Sequence, residues 1–138
     1  MSLSTEQRNR RMLRARDRMD RSYAQPLDIP ALARVAGCSH AHFIRTFRAV
    51  FGETPHRYLQ RRRVERAMHL LRSGHSVTDV CFDVGFNSLG TFSRTFSVVA
   101  GVSPSVYRNR PPTTAVPTCF AMAWARPSSF GEAASRRK

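Results

Sequence analysis

Apolar side chains in this chain recur every three or four residues and almost never alternate, a pattern that predicts helices and no sheet. Met12, Ala15 and Met19 form one stripe on a basic segment running from Glu6 to Ser22. Asp28 can cap a second helix, with Pro30 in its first turn, where a missing N–H does little harm, and Gly37 at its end. Its inner face is Leu32, Ala33 and Ala36. Ser39 caps a third, in which Phe43, Phe47 and Val50 fall at i, i+4 and i+7 before Gly52 stops it. Asp28 to Phe51 therefore reads as helix, three-residue glycine-containing turn, helix, which is a helix-turn-helix.

Thr54 and Pro55 open a longer helix that ends at Gly74. At about 100° per residue, Leu59, Arg63, Val64, Ala67, Leu70 and Leu71 share roughly 140° of arc, so this helix is amphipathic and about 30 Å long. Then the pattern repeats. Phe43, Arg45, Phe47, Gly52, Pro55 and Tyr58 recur 49 residues later as Phe92, Arg94, Phe96, Gly101, Pro104 and Tyr107, and Ala33 and Gly37 recur 48 later as Cys81 and Gly85. Such self-similarity marks a duplicated supersecondary unit. In the second copy Ser76 and Asp79 resemble a capping box, Val77, Val80, Cys81 and Val84 make the inner face, and Asn87 or Ser88 caps the helix carrying Phe92, Phe96 and Val99. A short helix begins at Ser103-Pro104 and ends near Arg110.

The expected fold is all-α, about seven helices: an N-terminal helix-turn-helix subdomain over 6–53, a linker helix over 54–74, a C-terminal helix-turn-helix subdomain over 75–110, and a Pro-containing tail over 111–138. Within the tail, "CFAMAW" is too apolar for a purely solvated linker; it docks on the domain, forms a strand or binds a partner, with docking the default expectation.

Charge turns this outline toward a partner. Arg plus Lys exceed Asp plus Glu by 23 − 9 = +14, and Lys138 is the single lysine. Guanidinium forks pair with phosphate and with guanine edges, so the excess points to nucleic acid. The three cysteines, Cys38, Cys81 and Cys119, contain no Cys-x-x-Cys pair, which fits a reduced, cytoplasmic setting. No apolar run reaches membrane-spanning length. Cys38, His40 and His42 alternate by two, which scatters side chains around a helix, so no metal site is expected. No acid, base and nucleophile set and no phosphate-cradling loop appears, so neither catalytic residues nor a cofactor are expected.

A helix reading a major groove needs an inward and an outward face. With Phe43 and Phe47 inward, Ala41, Ile44, Arg45 and Arg48 lie outward; the second copy offers Leu89, Gly90, Ser93, Arg94 and Ser97. Arg45 and Arg94 are either base-reading or structural and phosphate-directed. Ile44 either meets a thymine methyl or folds back over the core edge, and Gly90 either admits close backbone approach or is neutral at a first-turn position. The linker helix, about 30 Å long, matches the spacing of about 34 Å between successive major-groove faces. Arg57, Arg61, Arg62, Arg66 and Arg72 on it either touch phosphates or simply face water.

"GCSHAHFIRTFRAVFGETPHRYLQRRRVERAMHLL" followed by "SVTDVCFDVGFNSLGTFSRTFSVVAGVSPSVYR" resembles the DNA-binding domain of the AraC/XylS family of bacterial transcription regulators, over about residues 8–110. The resemblance rests on the Val-Gly-Phe turn, the Phe-x-Arg-x-Phe segment and the closing Gly-x-Ser-Pro-x-x-Tyr-Arg, in order. It implies a sequence-specific regulator binding double-stranded DNA in adjacent major grooves and recruiting RNA polymerase; the chain's length suits either the small stand-alone type or a regulator whose partner protein senses the signal, and the linker helix suits binding as a monomer. It also implies base reading by Ala41, Ile44, Arg45, Leu89, Gly90, Ser93 and Arg94. Phosphate contacts are expected from Ser39, His40, Arg48, Asn87, Ser88 and Thr91. A nonspecific basic nucleic-acid binder and an adaptor acting through the apolar tail are the alternatives.

Overall fold

The computed structural model describes residues 3–110, and these are all-α. The "CFAMAW" segment and its docking lie outside the described residues. Seven helices follow in order among those described: α1 (Leu3–Arg21), α2 (Ile29–Ala36), α3 (His40–Phe51), α4 (Pro55–Arg72), α5 (Val77–Asp83), α6 (Leu89–Ala100) and α7 (Pro104–Arg108).

Local chemistry sets their ends. Asp28, Ser39, Ser76, Ser88 and Ser103 each accept a backbone N–H from the first turn of the helix they precede. Thr54 does the same for α4 through the Arg57 N–H, at 3.2 Å. Ser88, not Asn87, caps α6. At Ser76 the Asp79 N–H reaches the serine hydroxyl at 3.1 Å. α1 begins three residues earlier than Glu6, and α4 has 18 residues, about 27 Å at 1.5 Å each.

The chain divides into two compact units. Among described residues, the first takes residues 3–22 and Pro26–Leu59, the second Tyr23–Gln25 and residues 60–110. In the first, α1 packs on α2 and α3, and Met12, Ala15 and Met19 of α1, Leu32, Ala33 and Ala36 of α2 and the phenylalanines of α3 are all buried. In the second, Val64, Ala67 and Leu71 of α4 meet Val80, Cys81 and Val84 of α5 and Phe92 and Phe96 of α6. Burial holds the Cys81 thiol above its ordinary pKa, and the thiol donates to the Ser88 carbonyl at 3.5 Å.

The internal repeat is a repeat of packing. The ring centroids of Phe43–Phe47 and of Phe92–Phe96 are both 5.7 Å apart, and Phe47–Tyr58 and Phe96–Tyr107 both cross at 67°. Gly52 and Gly101 close α3 and α6 at the same φ of +83°, each returning its N–H to the carbonyl four residues back. The repeat also reaches further upstream than the aromatic pattern indicates. Met12, Ala15 and Met19 of α1 correspond, 52 residues on, to Val64, Ala67 and Leu71 of α4, so α4 supplies the second unit with what α1 supplies the first. The loop before α2 is longer than the loop before α5, which moves the register and hides the match.

Candidate nucleic-acid interface

In α3 the buried residues are Phe43, Thr46, Phe47, Val50 and Phe51. That leaves Ala41, Ile44, Arg45 and Arg48 exposed along the opposite side, with Ser39 and His40 exposed at the start. Ile44 is 37 % exposed, so it does not fold into the core. His42 shares a hydrogen bond with Thr46 at 3.3 Å, and Cys38 is half-buried.

In α6, Phe92, Phe96 and Ala100 are buried, while Leu89, Gly90, Thr91 and Arg94 are exposed, as are Asn87 and Ser88 before them. Ser93 and Ser97 are half-buried, whereas Ile44 and Arg48, their counterparts on α3, are exposed. The outward arginine is tethered. The Ser88 hydroxyl donates to Thr91 Oγ1 at 3.0 Å, and Arg94 Nη2 donates to the same oxygen at 3.4 Å. Arg94 Nη1 lies 3.4 Å from where a Cβ on residue 90 would stand, so the guanidinium lies back along the first turn at van der Waals distance from that position. Arg45 has no such tether among the described residues.

Other arginines have partners within the fold. Arg63 is buried and donates through Nε to the Tyr23 carbonyl and through Nη2 to that of Gln25, both at 2.7 Å, and burial lowers its pKa from the ordinary guanidinium value. Arg108 grips the loop before α5 in the same way, through the carbonyls of His75 at 2.8 Å and Gly74 at 3.0 Å. Arg61 is buried against Glu65 at 3.0 Å, Arg62 meets the other oxygen of that carboxylate at 2.6 Å, and Arg72 donates to the Tyr107 hydroxyl at 2.7 Å. Of the five linker-helix arginines considered for phosphate, Arg57 and Arg66 are the exposed pair without such close partners. Alternating composition gives no cue to these clamps; their sign is an arginine at an inward helical position, as at Arg63.

The outward faces described above sit within a region, residues 32–110, that a family model described as "Helix-turn-helix domain" matches. The chain is also 36% identical over 93 residues to the regulatory protein SoxS of Salmonella typhimurium, spanning 67% of this chain and 87% of that protein. The chain belongs to the AraC/XylS family. As an AraC/XylS protein it is a DNA-binding transcription regulator and not an enzyme. It is 39% identical over 85 residues to the MmsAB operon regulatory protein of Pseudomonas aeruginosa, of which it spans 28%. Among solved structures, the DNA-binding domain of AdpA, a global transcriptional factor crystallised with a target DNA, superposes with a TM-score of 0.66 at 30% identity, covering 70% of this chain and 88% of that one. No helix among the described residues is long and apolar enough to cross a membrane.

Proposed function

We propose that this AraC/XylS regulator reads an asymmetric duplex site with two helices, α3 and α6, each entering one of two adjacent major grooves. The observation that carries this reading is the pair Arg45 and Arg94. Each stands exposed at the same position of the repeat, two residues after one buried phenylalanine and two before another. The core of each unit thus aims one guanidinium outward, and a bidentate contact to a guanine edge discriminates by about 1–3 kcal/mol. Ile44 and Leu89, 37 % and 41 % exposed, add apolar surface suited to thymine methyl groups. Ala41, Gly90 and Ser93 complete the base-facing set. Ser39, His40, Arg48, Asn87, Ser88 and Thr91 flank it as phosphate contacts. The AdpA domain, crystallised with a target DNA, supports DNA as the partner. Action as a monomer in the cytoplasm, with RNA polymerase as the protein partner, belongs to the same proposal.

Selection of bound duplexes from a random library at one physiological salt concentration tests it. Two short motifs about one helical turn apart are expected. Arg45→Ala should relax preference in one motif and Arg94→Ala in the other, each by about 1–3 kcal/mol. Enrichment of nothing, with affinity that depends on salt alone, would make the chain a nonspecific polyelectrolyte binder instead.

A further inference from the structure

α1 carries more charge than its packing uses. At about 100° per residue, Arg10, Arg11, Arg14, Arg18 and Arg21 fall within roughly 100° of arc, beside the buried stripe of Met12, Ala15 and Met19. All five are exposed, and none of their side chains has a hydrogen-bond or ion-pair partner among the described residues. The carboxylates of the helix, Glu6, Asp17 and Asp20, lie outside that arc, and Asp20 accepts the Tyr58 hydroxyl at 2.6 Å.

The fold does not require this stripe. At the corresponding positions α4 has Arg62, ion-paired with Glu65, Arg63, turned inward onto backbone carbonyls, Arg66, and Leu70, half-buried; Ser73 follows the helix. The same structural part is therefore played in the second unit with most of that charge neutralised, buried or replaced. In the first unit the stripe reaches, through Arg11, the turn that leads to α3. Arg11 Nη1 lies 3.9 Å from where a Cβ on Gly37 would stand, in the turn that leads directly to Ser39, His40 and α3.

We propose that this stripe is a sequence-blind phosphate ridge, in which Arg10, Arg14, Arg18 and Arg21 engage the duplex backbone flanking the bases read by α3, with Arg11 at the junction. The inference rests on the DNA-reading function above and extends its footprint. From Arg10 to Arg21 the ridge runs about 16 Å, and exposed guanidinium forks match phosphate oxygens bidentately. Each neutralised phosphate releases counterions, so the ridge adds affinity and salt dependence but no sequence preference.

The test measures affinity against salt concentration for the selected duplex and for a scrambled duplex, both with flanks of about ten base pairs. The proteins compared are the full chain, an Arg10/Arg14/Arg18→Ala triple variant and the matching Arg→Lys triple variant, each checked for helicity. The Ala variant should bind both duplexes more weakly, with a log-log slope shallower by about 0.9 per lost contact, or about 2–3 in all. The ratio between duplexes should not change, the Lys variant should recover the slope, and trimming the flanks should abolish the difference between full chain and Ala variant. If the triple variant proves unstable, Arg14→Gln alone should lower the slope by about 0.9. Equal slopes for the full chain and its variants would overturn the ridge. A full chain that binds both duplexes equally would overturn sequence reading, yet its slopes would still decide the ridge.

Discussion

Tyr58 and Tyr107 hold the same place in the two units. Each meets a phenylalanine edge-on at 67°, with centroids 5.8 and 5.6 Å apart. Their hydroxyls do opposite things: Tyr58 donates to Asp20 at 2.6 Å, whereas Tyr107 accepts from Arg72 at 2.7 Å. Asp20 and Arg72 are themselves counterparts, 52 residues apart on α1 and α4. The repeat thus preserves the packed rings and the need for a partner at the hydroxyl, and leaves the sign of that partner free. The same division separates α3 from α6, which share inward phenylalanines and one outward arginine while differing at nearly every other exposed position.

The strongest way to break the likeness is to remove a ring from each copy. Phe47 and Phe96 are both fully buried, so truncation to Ala should cost about 3–5 kcal/mol in either unit. Phe47 should be the costlier, because it pairs with Phe43, Phe51 and Tyr58 while Phe96 pairs with Phe92 and Tyr107. Urea unfolding followed by circular dichroism gives both numbers. Equal losses would mean that Phe51 adds no more than space filling.

Glycines sharpen the comparison one step down. Gly74 and Gly85 both have positive φ, +96° and +106°. Substitution by Ala strains either backbone by about 1–3 kcal/mol. A Cβ on Gly74 meets open space, but one on Gly85 would lie 2.9 Å from the Ala24 carbonyl and 2.9 Å from Arg63 Nε. Gly85→Ala should therefore exceed Gly74→Ala by about 1 kcal/mol or more, since it also disturbs a clamp of two hydrogen bonds. Thermal melts of the two variants side by side decide it.

Much of this was legible in residue order, because caps, stop glycines and inward phenylalanines act over three or four residues. Asp28, Ser39, Gly37 and Gly52 lie in the roles their spacing predicts, and the outward positions of Ile44, Arg45 and Arg94 follow from the same period. Most of what was not legible depends on side chains that reach across 33 to 40 residues. Arg63 differs from the other arginines only in its place on the apolar arc of α4, and Arg108 looks like the rest, until the fold brings backbone carbonyls to them. Arg61 and Arg72 read as solvent-facing cations, yet one is buried on Glu65 and the other serves Tyr107. The kinship of α1 and α4 was masked by their unequal following loops and by residues of different size, Met against Val or Leu, filling the same positions.

Removing the two tyrosine hydroxyls tests whether the opposite partners matter. Tyr58→Phe should cost about 1 kcal/mol, as Asp20 is half-buried and loses a donor. Tyr107→Phe should cost about 0.5 kcal/mol, because Arg72 is exposed to water and keeps its place over the ring, 5.4 Å from the centroid. Denaturant midpoints should rank them in that order; a reversal would place the stronger polar link in the second unit.

The smallest effect concerns the tether that only α6 has. Thr91 holds Arg94 through a single 3.4 Å hydrogen bond and is itself fixed by Ser88, while its counterpart on α3, His42, turns to Thr46 instead. Thr91→Val keeps the shape and removes the acceptor, so it should weaken binding to the selected site by about 0.5 kcal/mol, roughly twofold, through a less well positioned guanidinium. A direct phosphate contact from Thr91 would produce a loss of similar size, and a double-mutant cycle separates the two. If Thr91 acts by positioning Arg94, Thr91→Val should have no further effect once Arg94 is Ala. If it touches a phosphate, the two losses should add. In the first case α6 reads its base with an arginine set in place before DNA arrives and α3 reads with one that must be ordered on binding, so the two halves of the site would differ in stringency even where both present guanine.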